Sequence, residues 1–206
     1  MPVYKTIDNN SKIGIWKISE TLQELEEMID LNTLDRAKYE ELLPQKRKKE
    51  WLATRILIQS ITNNRLLTVV YDKHRKPFLS NQDNISISHT KDYVAVIIQT
   101  NKNVGIDIQV EKKNIEKGAY SFLTPSEIEG IEDENKLQKT HLYWCAKEAI
   151  YKYVGDSSLN IYSHFSIQPF LLKHKGEITG IINNSGLQIK LSYLILSDFY
   201  LVWTCQ

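Results

Sequence analysis

The feature that most constrains this chain is a change of hydrophobic period that happens twice. Between about residues 21 and 63 apolar residues recur at helical spacing, and from Leu67 the pattern turns to short strands. A second helical region, about 115–154, again gives way to strands. Helices and strands are thus segregated rather than alternating, which predicts an α+β fold with antiparallel sheets and excludes a doubly wound parallel sheet. The two halves share a helix-then-strands plan without sharing sequence. Thr21 with Glu24, and Thr124-Pro125-Ser126-Glu127, are capping-box starts, the latter with proline at the first helical position. Pro44 opens a helix over Gln45–Asn63, and Gly155 closes one over Lys136–Val154. Strands are expected at Gly14–Ile18, Leu67–Tyr71, Asn84–Ser88, Tyr93–Thr100, Val104–Val110, Glu177–Ile182, Gln188–Leu196 and Tyr200–Thr204, with Asn101-Lys102-Asn103 as a tight turn.

Composition removes several function classes. With 26 Lys+Arg against 25 Asp+Glu in 206 residues, net charge is +1, which argues against a protein that coats nucleic acid. The thin basic run Lys46–Lys49 with Trp51 does not change that. The longest apolar run, Val94-Ala95-Val96-Ile97-Ile98, is far too short to span a membrane, and the first residues carry no basic-then-apolar leader. Cys145 and Cys205 form no C-x-x-C pair, so neither a zinc site nor a disulfide framework is expected. A cytoplasmic protein is the expectation.

Three local patterns can carry chemistry. In Ile85-Ser86-Ile87-Ser88-His89-Thr90 the hydroxyls alternate to one face and end at an imidazole; such a strand end can hold a phosphate or satisfy a turn. In Gly105-Ile106-Asp107-Ile108-Gln109 a carboxylate sits among aliphatics. There it must be paired, protonated or bound to a cation, unless the strand is an edge with Asp107 on its wet face. The preceding glycine suggests a close approach of backbone or ligand. In Trp144-Cys145-Ala146-Lys147-Glu148-Ala149-Ile150-Tyr151-Lys152, Glu148 and Lys152 share a helix face and Lys147 lies about 100° round.

Taken together and in order, Lys76-Pro77-Phe78, Ile85–Thr90, Gly105-Ile106-Asp107 and Trp144-x-x-Lys147-Glu148-Ala149-x-x-Lys152, with Glu50-Trp51-Leu52-Ala53-Thr54-Arg55 upstream, resemble the 4′-phosphopantetheinyl transferases. The spacing is similar to that of the longer, pseudo-duplicated type typified by the surfactin synthetase activator. The resemblance implies two similar subdomains, 1–102 and 103–206, related by a pseudo-twofold, with the active-site cleft between them. It implies transfer of the phosphopantetheine arm of coenzyme A to a serine of an acyl or peptidyl carrier protein by a monomer that uses magnesium, with manganese as the alternative ion. Asp107 and Glu148 match its metal ligands, with Gln109 reaching the metal through water where many members carry a glutamate. Glu148, Lys152 and Asp107 match its catalytic set, with Glu148 as a base kept ionised and weak. Arg55, Arg75, Lys76, Ser88, His89, Lys147 and Lys152 are expected on coenzyme A, and Lys112-Lys113 with the helices of 115–126 on an acidic carrier. The competing expectation is a non-catalytic relative that keeps coenzyme A or carrier binding.

Overall fold

A computed structural model describes residues 4–8, 10–131, 133–196 and 199–205. Two antiparallel sheets divide the chain. The first half gives β1 (Tyr4–Asp8), β2 (Ser11–Lys17), α1 (Leu22–Glu27), α2 (Thr33–Glu40), α3 (Gln45–Thr62), β3 (Val69–Tyr71), β4 (Pro77–Leu79), β5 (Asn84–Thr90) and β6 (Tyr93–Gln99). Its six strands run in the order β1-β2-β6-β5-β4-β3. The second half gives β7 (Ile106–Val110), a 3₁₀ turn (Ile115–Ser121), α4 (Pro125–Glu129), a short 3₁₀ turn (Asp133–Asn135), α5 (Lys136–Val154), α6 (Ile161–His164), β8 (Phe165–Ile167), β9 (Lys175–Ile182), β10 (Leu187–Leu196) and β11 (Phe199–Thr204). Its five strands run β7-β11-β10-β9-β8. The α+β class expected from the segregated pattern is the observed one.

The layers follow from which face each strand residue takes. Trp16, Val94, Val96 and Ile98 pack on Leu52, Leu57 and Ile58 of α3. Their alternates Ile13, Ile15, Ala95 and Ile97 face Ile106, Ile108, Leu201 and Trp203 of the other sheet. Beyond that sheet, Tyr200 and Val202 meet Ala146, Ala149 and Ile150 of α5. The order is helix, sheet, sheet, helix. All of β6 is buried, which is why its sequence is an unbroken apolar run rather than an alternating one.

Local signals set the helix ends. Thr21 and Thr124 both form capping boxes, and Gly155 closes α5 at φ +73° with its N–H on the Tyr151 carbonyl at 2.9 Å. The turn expected at 101–103 is not a hairpin. β6 pairs with β2 and β5, whereas β7 pairs with β11, so these residues carry the chain from one sheet to the other. Both flanking strands are apolar, and while β5 is a local partner of β6, its other partner β2 and the partner β11 of β7 lie 76 to 97 residues away in sequence, beyond the reach of a local pattern.

Candidate active site

β7 is the edge strand of the five-stranded sheet, and β5 of the other sheet lies beside it. The N–H groups of Ile106, Ile108 and Val110 find no strand there. They donate instead to the hydroxyls of Ser86 (3.1 Å), Ser88 (3.3 Å) and Thr90 (3.4 Å). The alternating hydroxyls of β5 thus join the two sheets. On the other side, α5 comes close because residue 105 is glycine: a Cβ there would stand 1.9 Å from the Ala149 carbonyl oxygen. The close approach expected at Gly105 is that of a helix backbone.

These two contacts place Asp107 between β5 and α5. Asp107 is 2% exposed, so it is not the wet-face aspartate that alternation allowed. Its Oδ1 accepts from Lys152 Nζ and from Ser88 Oγ, each at 2.7 Å, and Oδ2 accepts from Gln109 Nε2 at 3.3 Å. Lys152 also donates to the Ile106 carbonyl at 3.0 Å. Glu148, one turn back on α5, is half-buried. Burial first, then Asp107, raises its carboxyl above the ordinary range, while Lys152 acts the other way. Cys145, fully buried, lies near Asp107, and burial pushes its thiol well up. It stands three residues before Glu148 on α5, a spacing that puts the two on one side of the helix.

A crevice leads away from this cluster. Arg75, Lys76, Ile87, Tyr151 and Lys152 line its first part. A hollow of about 490 Å³ continues it, walled by Arg47, Trp51, Arg55, Tyr71 and His89. Arg55 is 5% exposed and lies on the Trp51 ring at 3.8 Å, and its Nε and Nη2 have no hydrogen-bond partner among the described residues. Asp35, 4.0 Å away, is too distant to satisfy them. Burial lowers the Arg55 pKa, with Tyr71 and Asp35 opposing. His89 sits at the rim, exposed. Desolvation of its ring, then the charges of Lys152, Arg47 and Arg55, push its pKa down to about 4. The exposed ring edge tempers the first cause, but the cations remain. Lys76 reaches over Gly155 and donates to the Tyr153 carbonyl at 2.7 Å, at the negative end of α5.

The structure therefore gathers Asp107, Glu148, Lys152, Ser88 and Gln109 at one end of the crevice, with Arg55, Arg75, Lys76 and His89 along it. Lys147 is not brought there. It is 0% exposed and donates to Glu127 Oε2 and to the Phe122 carbonyl, each at 2.7 Å. The 100° turn between Lys147 and Glu148 carries it into the core, away from the crevice. Trp51, Tyr71 and Arg47 also line the hollow. Trp51 belongs to the upstream stretch that carries the resemblance and Arg47 to the basic run before it, while Tyr71 reads only as the end of a strand.

A carboxylate–lysine pair beside a second carboxylate, next to a crevice lined by cationic side chains of which Arg55 keeps two donors unpartnered, is an arrangement suited to a polyanionic ligand. Comparison with known proteins narrows the class. A model of the 4′-phosphopantetheinyl transferase superfamily matches residues 103–204. The 4′-phosphopantetheinyl transferase AcpT of Salmonella typhi is 30% identical over 133 residues, covering 61% of this chain and 69% of that protein. AcpT of Escherichia coli O157:H7 is 28% identical over 124 residues, covering 57% and 63%. The chain belongs to the 4′-phosphopantetheinyl transferase superfamily, a family of transferase enzymes.

Proposed function

We propose that the protein transfers the 4′-phosphopantetheine arm of coenzyme A to a serine hydroxyl of an apo-carrier protein, acyl or peptidyl, in a magnesium-dependent reaction that releases adenosine 3′,5′-bisphosphate. The observation that supports this best is the meeting of Asp107, Lys152 and Glu148 at the end of a crevice whose deepest guanidinium, Arg55, has two donors unspent. On this reading the cleft lies between subdomains 1–102 and 103–206. Arg55, Arg75 and His89 hold the nucleotide end of coenzyme A, and Lys76 and Lys152 stand nearer its pyrophosphate.

The residues fit a magnesium ion. Oδ2 of Asp107 carries one long hydrogen bond, and Glu148, whose carboxyl is raised by burial first and then by the Asp107 charge, is a second carboxylate. Magnesium takes one or two carboxylates, which this pair could supply, and fills its shell with water and phosphate oxygens. Bound there, the ion would neutralise charge at the pyrophosphate. Gln109 adds an amide but no charge.

The chain's own part is orientation and proton transfer, as phosphoryl transfer requires. The carrier serine oxygen attacks the phosphorus nearer the pantetheine and its proton passes to Glu148. The bond to the bridging pyrophosphate oxygen breaks, and the nucleotide leaves with that oxygen. Held beside the ion and Lys152, Glu148 stays ionised and accepts that proton as a weak base. Lys152, held on Asp107, offsets part of the repulsion between the two carboxylates. Lys112 and Lys113, both exposed, together with the helical segments of 115–126, in which Tyr120 is exposed, are the candidate face for an acidic carrier. A monomer in the cytoplasm completes the proposal.

The test incubates the protein with coenzyme A, magnesium and a panel of apo-carriers. Mass spectrometry should find a carrier heavier by one phosphopantetheine, and Glu148→Gln should cut the rate by about 100-fold or more. An unmodified panel alongside retained coenzyme A binding would favour the non-catalytic relative.

A further inference from the structure

A serine hydroxyl has one proton to give and two lone pairs. Ser88 Oγ gives its proton to Asp107 Oδ1 at 2.7 Å and accepts the Ile108 N–H at 3.3 Å. The residue is 4% exposed. A phosphate oxygen only accepts, so the Ser88 side chain has no donor left for one. In this arrangement that proton is committed to Asp107. Ser86 and Thr90, two residues either side, accept β7 N–H groups in the same register, and neither has a bond to a carboxylate among those found. Of the three hydroxyls in this seam, Ser88 is the one bonded to Asp107.

Resting on the reading of Asp107 as a magnesium ligand, we propose that Ser88 is a positioning residue. With Lys152 it holds Oδ1 of Asp107 and so presents Oδ2, rather than either oxygen at random, to the ion. Side chains that orient metal ligands in this way are commonly worth 10- to 100-fold in metal affinity. The orientation is thus carried by β5 of one sheet, while the ligand belongs to β7 of the other.

The experiment titrates magnesium calorimetrically into the protein–coenzyme A complex with no carrier present, and measures the melting temperature of each variant. Ser88→Ala should weaken magnesium binding about tenfold. Thr90→Val removes an acceptor from the same seam, is nearly isosteric and touches no carboxylate; it should lower the melting temperature slightly and leave magnesium affinity as in the wild type. Ser88→Cys, close in size and a poor donor, makes the same comparison if the alanine variant does not fold. Asp107→Asn should abolish binding. If Asp107→Asn abolishes binding while the Ser88 variants match Thr90→Val, the positioning role is wrong and the metal reading stands. If Asp107→Asn binds magnesium like the wild type, the metal reading fails and this proposal falls with it.

Discussion

Lys147 and Lys152 are five residues apart on α5 and end in different surroundings. Lys152 keeps a quarter of its side chain exposed and bridges Asp107 to the crevice; Lys147 has no exposure at all. Glu127 is bound four ways: to Lys147 Nζ, to the Thr124 N–H at 2.8 Å, to the Thr124 hydroxyl at 3.1 Å and to the Ile167 N–H at 2.8 Å. One ion pair therefore ties α4, α5 and β8 together. Removing one partner strands a buried charge, which typically costs about 3–5 kcal/mol, whereas replacing both is far milder. Lys147→Met should lower the urea-unfolding free energy by about that amount, and adding Glu127→Gln should recover much of it. Equal stability of wild type and Lys147→Met would show that the pair does not hold these elements. The capping box was legible because its residues are three apart. The Lys147 partner, 20 residues away, was not, and spacing alone paired Lys152 with Glu148 when its direct partner is Asp107, 45 residues back.

Between β7 and the 3₁₀ turn, the chain is pinned by a histidine from α5. The Lys112 N–H donates to His141 Nε2 at 2.9 Å, so Nδ1 must carry the proton, which it gives to the Leu137 carbonyl at 2.8 Å. The ring is buried and stacks on Tyr200 at 4.4 Å, and Tyr200 donates to Glu111 at 3.1 Å. Burial lowers the His141 pKa; Lys112 adds to that, while the Leu137 carbonyl, Glu111 and Glu116 oppose it. Only the neutral ring can accept from Lys112. In the unfolded chain the imidazole regains a pKa near 6.5. As pH falls below that value the unfolded chain takes up the proton first, and the stability this ring contributes, fully present above about 6.5, is lost. Wild type should therefore lose more unfolding free energy from pH 7 to 5 than His141→Gln, whose amide oxygen can still accept but does not titrate. The difference has a ceiling of about 1.4 kcal/mol per pH unit, read from denaturant curves, with faster hydrogen exchange at the Lys112 amide. Parallel slopes would dismiss the ring as the cause. At this scale the long helices were legible from caps and period. β1, β4 and β8 were not, because three to five residues hold too few periods, and their pairing decides them.

Across the molecule, the candidate site exists only where the two sheets meet. Its aspartate is on β7, its hydroxyl on β5, and its glutamate and lysine on α5, so the distance between layers decides whether they touch. The sequence showed four motifs in order but not which faces would meet, since that depends on a hydroxyl seam spanning 20 residues and on one missing methyl group. Gly105 sets the approach of α5: a Cβ would lie 1.9 Å from the Ala149 oxygen and 2.9 Å from the Tyr153 nitrogen, both backbone atoms that cannot rotate aside. Gly105→Ala must push α5 off β7 or distort both. Overpacking of this kind typically costs about 1–3 kcal/mol, roughly 2–4 °C of melting temperature for each kcal/mol in a chain this size. The same shift should draw Glu148 and Lys152 away from Asp107. Carrier modification should then fall well below that of the wild type at a temperature where both proteins are folded. If Gly105→Ala melts and reacts like the wild type, the helix is free to sit elsewhere, and the meeting of Asp107 with α5 must be held by Lys152 and Ser88 instead of by packing.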